Sequence, residues 1–325
     1  MSELHKFIFD GLPVRGMLVR LTDAWQEILK RRQAAGGYPV EVMHLLGEMT
    51  AAGALMQGNI KFNGALILQI FGDGPVKLAV AEVQPDLSLR ATATVTAPID
   101  AGSSLSQLVN VNNQGRCAIT LDPKDKFPGQ QAYQGVVPLF GDQHEKIEKL
   151  SEVLEHYMLQ SEQLDTKLIL AADGNLAAGL LIQRLPVKGQ DNLEGRSGGD
   201  YSSENEDQIG VNEDYKRISI LASTLKREEL LTLDVDTILH RLFWEEPITR
   251  FESLSPKFAC SCSRERVSNM LRSLGVEEIE SIIAERGSVG VTCEFCGAQH
   301  DFDPVDAAQI FTHPDRQQPP TPTVQ

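Results

Sequence analysis

Four of the chain's five cysteines fall in one short stretch, as Cys260-Ser261-Cys262 and Cys293-Glu294-Phe295-Cys296. A C-x-C and a C-x-x-C framing residues 263–292 have the spacing of a tetrahedral four-thiolate metal site. Cysteines two apart can turn both sulfurs toward one ion where the backbone curls. Gly297, directly after the second pair, fits a knuckle whose amides face the sulfurs. Four sulfurs suit zinc or iron, but nothing else points to electron transfer, so one zinc per chain is expected. Such a site is coordinatively closed and has no position for a catalytic water, which leaves a structural or a redox role. The C-x-C pair shifts the balance toward redox, because a disulfide between residues two apart strains the short ring it closes. Zinc-held thiolates are also the form that oxidants attack. Loss of the metal would remove the energy that folds so small a module, turning oxidation into unfolding.

The residues between the two pairs must fold back to bring them together. A helix is expected over 263–274, ended by Gly275, and a second over 276–286, with Glu277 and Glu278 in its first turn and Gly287 after its end. Arg264, Arg266 and Arg272 stand close enough in sequence to offset the negative charge of the site, or to be solvated helix-surface residues. His300, four residues beyond Cys296, is not counted as a ligand.

Upstream, residues 1–20 read as two strands joined by a turn, and Thr22 as the N-cap of a helix to Arg32. A second helix is expected over 39–57. Strand periodicity follows, with Asn63-Gly64 read as a hairpin turn and Gly72-Asp73-Gly74-Pro75 as the next. Further strands are expected over 76–83, 89–97, 117–121, 135–140, 167–172 and 177–185, and a helix from an Asp142 cap to about Gln160. The pattern is that of an α+β domain with a largely antiparallel sheet, residues 1–186. Residues 188–214 are rich in Gly, Ser, Asn, Asp and Glu and read as a mobile linker. Amphipathic helices from Tyr215 and over about 234–245 follow and need a partner surface. The linker as a whole spans 187–255, the cysteine module 256–313, and a proline-rich disordered tail 314–325.

Other chemistry is weakly signalled. Gly72-Asp73-Gly74-Pro75 lacks the lysine of a phosphate loop, Cys117 reads as a small buried hydrophobe, and no nucleophile motif is present. No enzyme is expected. A formal net charge of −15 argues against nucleic-acid binding and against docking on an anionic membrane. The absence of a secretory signal, and of disulfide-scaffold cysteine usage, gives a cytoplasmic expectation.

The segment 258–266 (FACSCSRER) with Cys293-Glu294-Phe295-Cys296-Gly297 resembles the redox-regulated 33-kDa heat-shock chaperone family. Val14-Arg15-Gly16, Gly72-Asp73-Gly74-Pro75, Tyr133-Gln134-Gly135-Val136-Val137, 157–164 (YMLQSEQL) and Ala177-Ala178-Gly179 fit its pattern too, so the resemblance covers nearly the whole chain. It implies an ATP-independent holdase, inactive while reduced and zinc-bound, that binds unfolding proteins under oxidative and heat stress. Oxidation would form disulfides, release zinc, unfold the cysteine module and linker, and give a homodimer. By position it implies that Cys260, Cys262, Cys293 and Cys296 are both zinc ligands and redox switch, paired when oxidised as Cys260 with Cys262 and Cys293 with Cys296. Spacing alone leaves three connectivities open. The polar stretch at 188–212 is longer than the family pattern. The rival reading is a non-enzymatic zinc-ribbon interaction module.

Overall fold

The computed structural model describes residues 1–33, 36–125, 130–141, 143–185 and 212–312. The chain divides at the first cysteine of the cluster into two compact units, Met1–Ala259 and Cys260–Gln325.

The first unit opens with a hairpin of β1 (Glu3–Phe9) and β2 (Val14–Leu21). Helix α1 (Asp23–Gln33) follows, its first turn closed on the Thr22 carbonyl and its Trp25 fully buried. Helix α2 (Val40–Asn59) is the centre of the unit, with thirteen of its residues buried. An isolated surface helix buries one stripe, whereas one that is apolar all round must be enclosed. Here β2, β8 (Thr166–Ala172) and β9 (Ala177–Arg184) pack against α2 from one sheet. From a second sheet come β3 (Gly64–Phe71), β4 (Val76–Val83) and β5 (Ser88–Val95). The approach is close: a Cβ on Gly47 of α2 would lie 2.3 Å from the Ala172 Cβ.

The second sheet continues through β6 (Arg116–Pro123) and β7 (Tyr133–Pro138), with the short helix α3 (Leu105–Val109) between β5 and β6. The Gly72–Pro75 turn joins β3 to β4 as expected. Asn63-Gly64 is not a hairpin: it leads from α2 into β3, and Gly64 is needed because a Cβ there would meet the Asp122 carbonyl of β6 at 2.2 Å. Asp142 lies outside the described residues. Helix α4 (Leu150–Glu162) starts later than expected, with Lys149 at its N-cap position.

After β9, residues 186–211 lie outside the described set, so the polar stretch read as a linker is described only from Asn212 onward. Three helices follow, α5 (Glu213–Ser223), α6 (Arg227–Thr232) and α7 (Val235–Phe243). Asn212 and Asp234 cap α5 and α7 by accepting from the Tyr215 and Thr237 amides. The partner surface their amphipathicity demands is the face of the first sheet turned away from α2. Ile218, Ala222, Leu230, Ile238, Leu239 and Phe243 form one buried cluster with Phe7, Phe9, Val14, Leu18, Leu180 and Ile182. Phe243 meets Phe9 edge-on, ring centroids 5.0 Å apart. Arg20 of β2 donates to the Leu230 carbonyl at 2.7 Å, and Arg227 donates to the Ala172 carbonyl.

Two short strands end the unit. β10 (Ile248–Arg250) runs antiparallel to β1, and β11 (Lys257–Phe258) runs parallel to β5. The sheet orders are therefore β10-β1-β2-β9-β8 and β11-β5-β4-β3-β6-β7. Every pairing but β11 with β5 is antiparallel, in agreement with the expected α+β class. Among the described residues no helix is long and apolar enough to cross a membrane.

Candidate metal centre

The second unit is built to close a loop of chain. Ser263 caps α8 (Arg264–Leu274) by accepting from the Arg266 amide at 3.2 Å. Gly275, at φ +94°, turns the chain into α9 (Val276–Arg286), which Gly287 ends at φ +79°. A left-handed or related conformation at these corners is one that only glycine adopts without strain, so the helix limits were legible. The sequence signals did not include the hairpin of β12 (Val289–Thr292) and β13 (Gln299–Phe302), nor α10 (Pro304–Thr312). Four-residue strands are too short for periodicity to register. Among the described residues the unit's core cluster is small: Leu271, Ile279, Val289, Phe302, Ala307 and Ile310 are buried in it.

The hairpin's connection makes the knuckle. The Gly297 amide donates to the Cys293 carbonyl at 2.8 Å, the Cys293 amide donates to the Ala298 carbonyl at 2.9 Å, and Gly297 takes φ +69°. This turn sets Cys293 and Cys296 on one side, where the stretch before α8 delivers Cys260 and Cys262. The four sulfurs lie within 4.8 Å of one another. Cys260 and Cys293 are separated by 3.7 Å and Cys262 and Cys296 by 3.2 Å. With zinc–sulfur bonds of about 2.3 Å, tetrahedral geometry sets sulfurs about 3.8 Å apart, so the donor set fits a zinc ion. All four sulfurs converge on one point, and this convergence singles out no pairing among them. Burial pushes the thiols of Cys262 and Cys296 above the usual range, and Cys262 further through its contact with Cys296. A cation among them reverses that preference and holds thiolates.

The arginines divide their roles. Arg266 donates to the Ser261 carbonyl between the first two cysteines at 3.0 Å. Arg264 instead pairs with Asp306 at 2.7 Å, donates to the Asp301 carbonyl and stacks over Phe302 at 4.3 Å. Arg272 donates to the Ile310 carbonyl at 3.0 Å. Two of the three thus tie α8 to β13 and α10, a role their sequence neighbourhood did not reveal. His300 sits on β13 opposite Val291 and outside the sulfur group. Among the described residues no other cluster of histidine, cysteine and carboxylate has metal-holding geometry.

The remaining singled-out residues are structural. Cys117 is 1% exposed and burial pushes its thiol up to about 12, so it is inert. Asp73 of the Gly72–Pro75 turn accepts from the Val111, Asn112 and Gln114 amides, so the loop binds its own chain and not a phosphate. Gly16 lies under the Phe7 ring and Gly135 under the Tyr157 ring, where a Cβ on either would come within 2.2 Å and 2.4 Å of the aromatic carbons.

Comparison with known proteins agrees with this architecture. The family model described as Hsp33 protein matches residues 2–303. A 33 kDa chaperonin of Chromobacterium violaceum is 45% identical over 313 residues, covering 96% of this chain and 94% of the relative. Those of Methylobacillus flagellatus and Neisseria meningitidis serogroup A are each 41% identical, over 96% and 94% of this chain and 94% and 90% of their own. The crystal structure of a 33 kDa chaperonin from Thermotoga maritima shares the fold, at a TM-score of 0.71 and 19% identity, over 95% of this chain and 98% of that one. The four-cysteine unit, the two-sheet unit around α2 and relatives matching along nearly the whole length identify the chain as a member of the Hsp33 family of chaperones.

Proposed function

We propose that this protein is a cytoplasmic, ATP-independent holdase whose client binding is switched on by oxidation of Cys260, Cys262, Cys293 and Cys296. The observation that carries the reading is the convergence of these four sulfurs within 4.8 Å in a unit whose described residues bury a core cluster of six apolar side chains. Zinc bound there would hold the sulfurs as thiolates and cross-link the two ends of the unit. A core that small leaves the fold dependent on its cross-link. Peroxide takes two electrons from each pair of thiols and leaves as water, forming the disulfides Cys260 with Cys262 and Cys293 with Cys296. A zinc held by these cysteines would thereby lose its ligands, and the unit, without its cross-link, would unfold.

The amphipathic helices α5 to α7 supply the apolar surface. They hold Phe7, Phe9, Val14, Leu18, Leu180 and Ile182 out of water in the resting state. Release of the helices, which the unfolded unit follows in the chain, exposes that face to unfolding proteins and to a second copy, giving the oxidised homodimer. With a net charge of −15, neither nucleic acid nor an anionic membrane is the partner.

The test measures zinc content and free thiols before and after peroxide with mild heat, alongside aggregation of a thermally unfolding reporter enzyme. The reduced protein should carry one zinc and leave aggregation unchanged. The oxidised protein should have lost the zinc and four thiols and suppress aggregation at near-stoichiometric amounts. An oxidised, zinc-free protein that suppresses nothing sinks the reading, and leaves a structural zinc module.

A further inference from the structure

Between α7 and Cys260 the chain closes two sheet edges in succession. Along β1, Ile248, Thr249 and Arg250 sit opposite Phe9, Ile8 and Phe7. The Asp10 amide donates to the Pro247 carbonyl, the Phe251 amide donates to the Lys6 carbonyl, and Leu4 and Leu254 exchange both hydrogen bonds, each at 2.9 Å. The chain then crosses to β5, where the Lys257 amide donates to the Leu87 carbonyl and the Ala259 amide to the Leu89 carbonyl, both at 3.1 Å. Without this strap, residues 247–259, β1 and β5 would each be the outermost strand of a large sheet. An uncovered edge presents a row of unpaired amides and carbonyls that will pair with another extended chain.

The strap is held by its backbone and by a few side chains: Arg250 pairs with Asp236 and reaches His5, Lys257 pairs with Asp86 at 3.3 Å, and Ile248 packs against the cluster under α5 to α7. Phe251 is 51% exposed and Leu254 38% exposed. Its one seated aromatic is Phe258, packed against the main core with the Arg31 guanidinium 4.7 Å over its ring. Main-chain pairing supplemented by a few side-chain seats is how sheet edges take up extended peptides of varied sequence. Few buried apolar contacts also make a segment easy to lift. The residue that follows the strap, Cys260, belongs to the sulfur group, so the strap's C-terminal anchor is the element that the proposed oxidation unfolds.

We infer that the edges of β1 and β5 are a client-binding surface, and that residues 247–259 occupy it in the resting state as a built-in stand-in for an extended client segment carrying an aromatic residue. The inference rests on the oxidative opening proposed above and adds the mode of recognition: strand addition at two edges, with an aromatic side chain in the seat of Phe258. It adds to the apolar face under α5 to α7, which binds through side chains and against which Ile248 of the strap packs.

The probe is a fluorescein-labelled synthetic peptide of residues 247–259, followed by anisotropy with the full-length protein. The oxidised, zinc-free protein should bind it at least about tenfold more tightly than the reduced, zinc-loaded protein, as expected when the built-in competitor is lifted. A Phe258→Ser peptide should bind more weakly, and unfolded reporter enzyme should displace the label. Full-length Lys257→Pro lacks the amide that bonds Leu87 and retains all four cysteines, so it should bind the peptide while still reduced and zinc-loaded. Equal binding to both redox states overturns the inference, as does no binding to an oxidised protein that still suppresses aggregation; in that last case the holdase reading survives. Peptide binding that is lost as the oxidised protein dimerises assigns the edges to a second copy and also overturns it.

Discussion

Truncating Phe243 should uncouple the linker helices from the sheet without touching a cysteine. Its side chain is 2% exposed and is wedged against Phe9 at 5.0 Å and Phe7 at 6.2 Å between ring centroids. Removing a buried phenylalanine side chain costs about 3–5 kcal/mol, the spread reflecting how far the neighbours collapse into the space. The loss falls on the contact between α7 and the first sheet, because Phe243 belongs to the cluster under the helices and not to the one around α2. At about 3 kcal/mol, and with each 1.4 kcal/mol a factor of ten, the population with α7 lifted rises by roughly 100-fold. Reduced, zinc-loaded Phe243→Ala should therefore suppress part of the reporter's aggregation with its four clustered thiols still reduced. Limited proteolysis should cut first within residues 213–246. If the variant melts earlier as a whole but shows no new cleavage in that stretch and no client binding while reduced, the helices are an inseparable part of the core and the reasoning is refuted.

Further outcomes follow from the same geometry. Cys260→Ser leaves three sulfurs, so a chelator should strip zinc from it at concentrations that leave the wild type loaded, and the second unit should lose its protease resistance while residues 1–185 keep theirs. Gly16→Ala places a methyl 2.2 Å from the Phe7 ring, which also contacts Phe9 and Phe243 and would have to shift; overpacking of this kind costs about 1–3 kcal/mol, read as a lowered Tm. Glu48, on α2 and 3.8 Å from Arg227 of α6, has its carboxyl raised by burial to about 7. A carboxyl whose folded value is raised contributes stability that is present below its unfolded value, near 4.5, and is lost as pH rises through about 7. Glu48→Gln should consequently melt higher than the wild type at pH 8 and close to it at pH 4.5. Its side chain is 23% exposed, so the gain should be smaller than for full enclosure. Parallel melting curves at both pH values would refute the assignment.

Much of the site was legible because its signals are local. Cysteine chemistry and spacing named four residues that the fold brings within 4.8 Å. The glycines at 275 and 287 bounded α9, since a positive φ at a helix end is a property of the residue itself. The β12–β13 hairpin that shapes the knuckle was not legible, because four residues of strand carry too little alternation. Nor were β10 and β11, whose placement depends on sheet edges distant in sequence.

The sequence by itself determined the α+β class, the apolar helix α2 and the four cysteines of the candidate centre, each the result of residue type and near-neighbour spacing. Tertiary structure decided what those elements meet. It put α2 between two sheets and laid α5 to α7 on Phe7, Phe9 and Leu180. It also spent Gly64 on a close approach to Asp122 where a turn was expected. An amphipathic helix specifies that it needs a partner but not which one, and a glycine specifies freedom but not its use. Those choices are made by contacts between residues far apart in the chain.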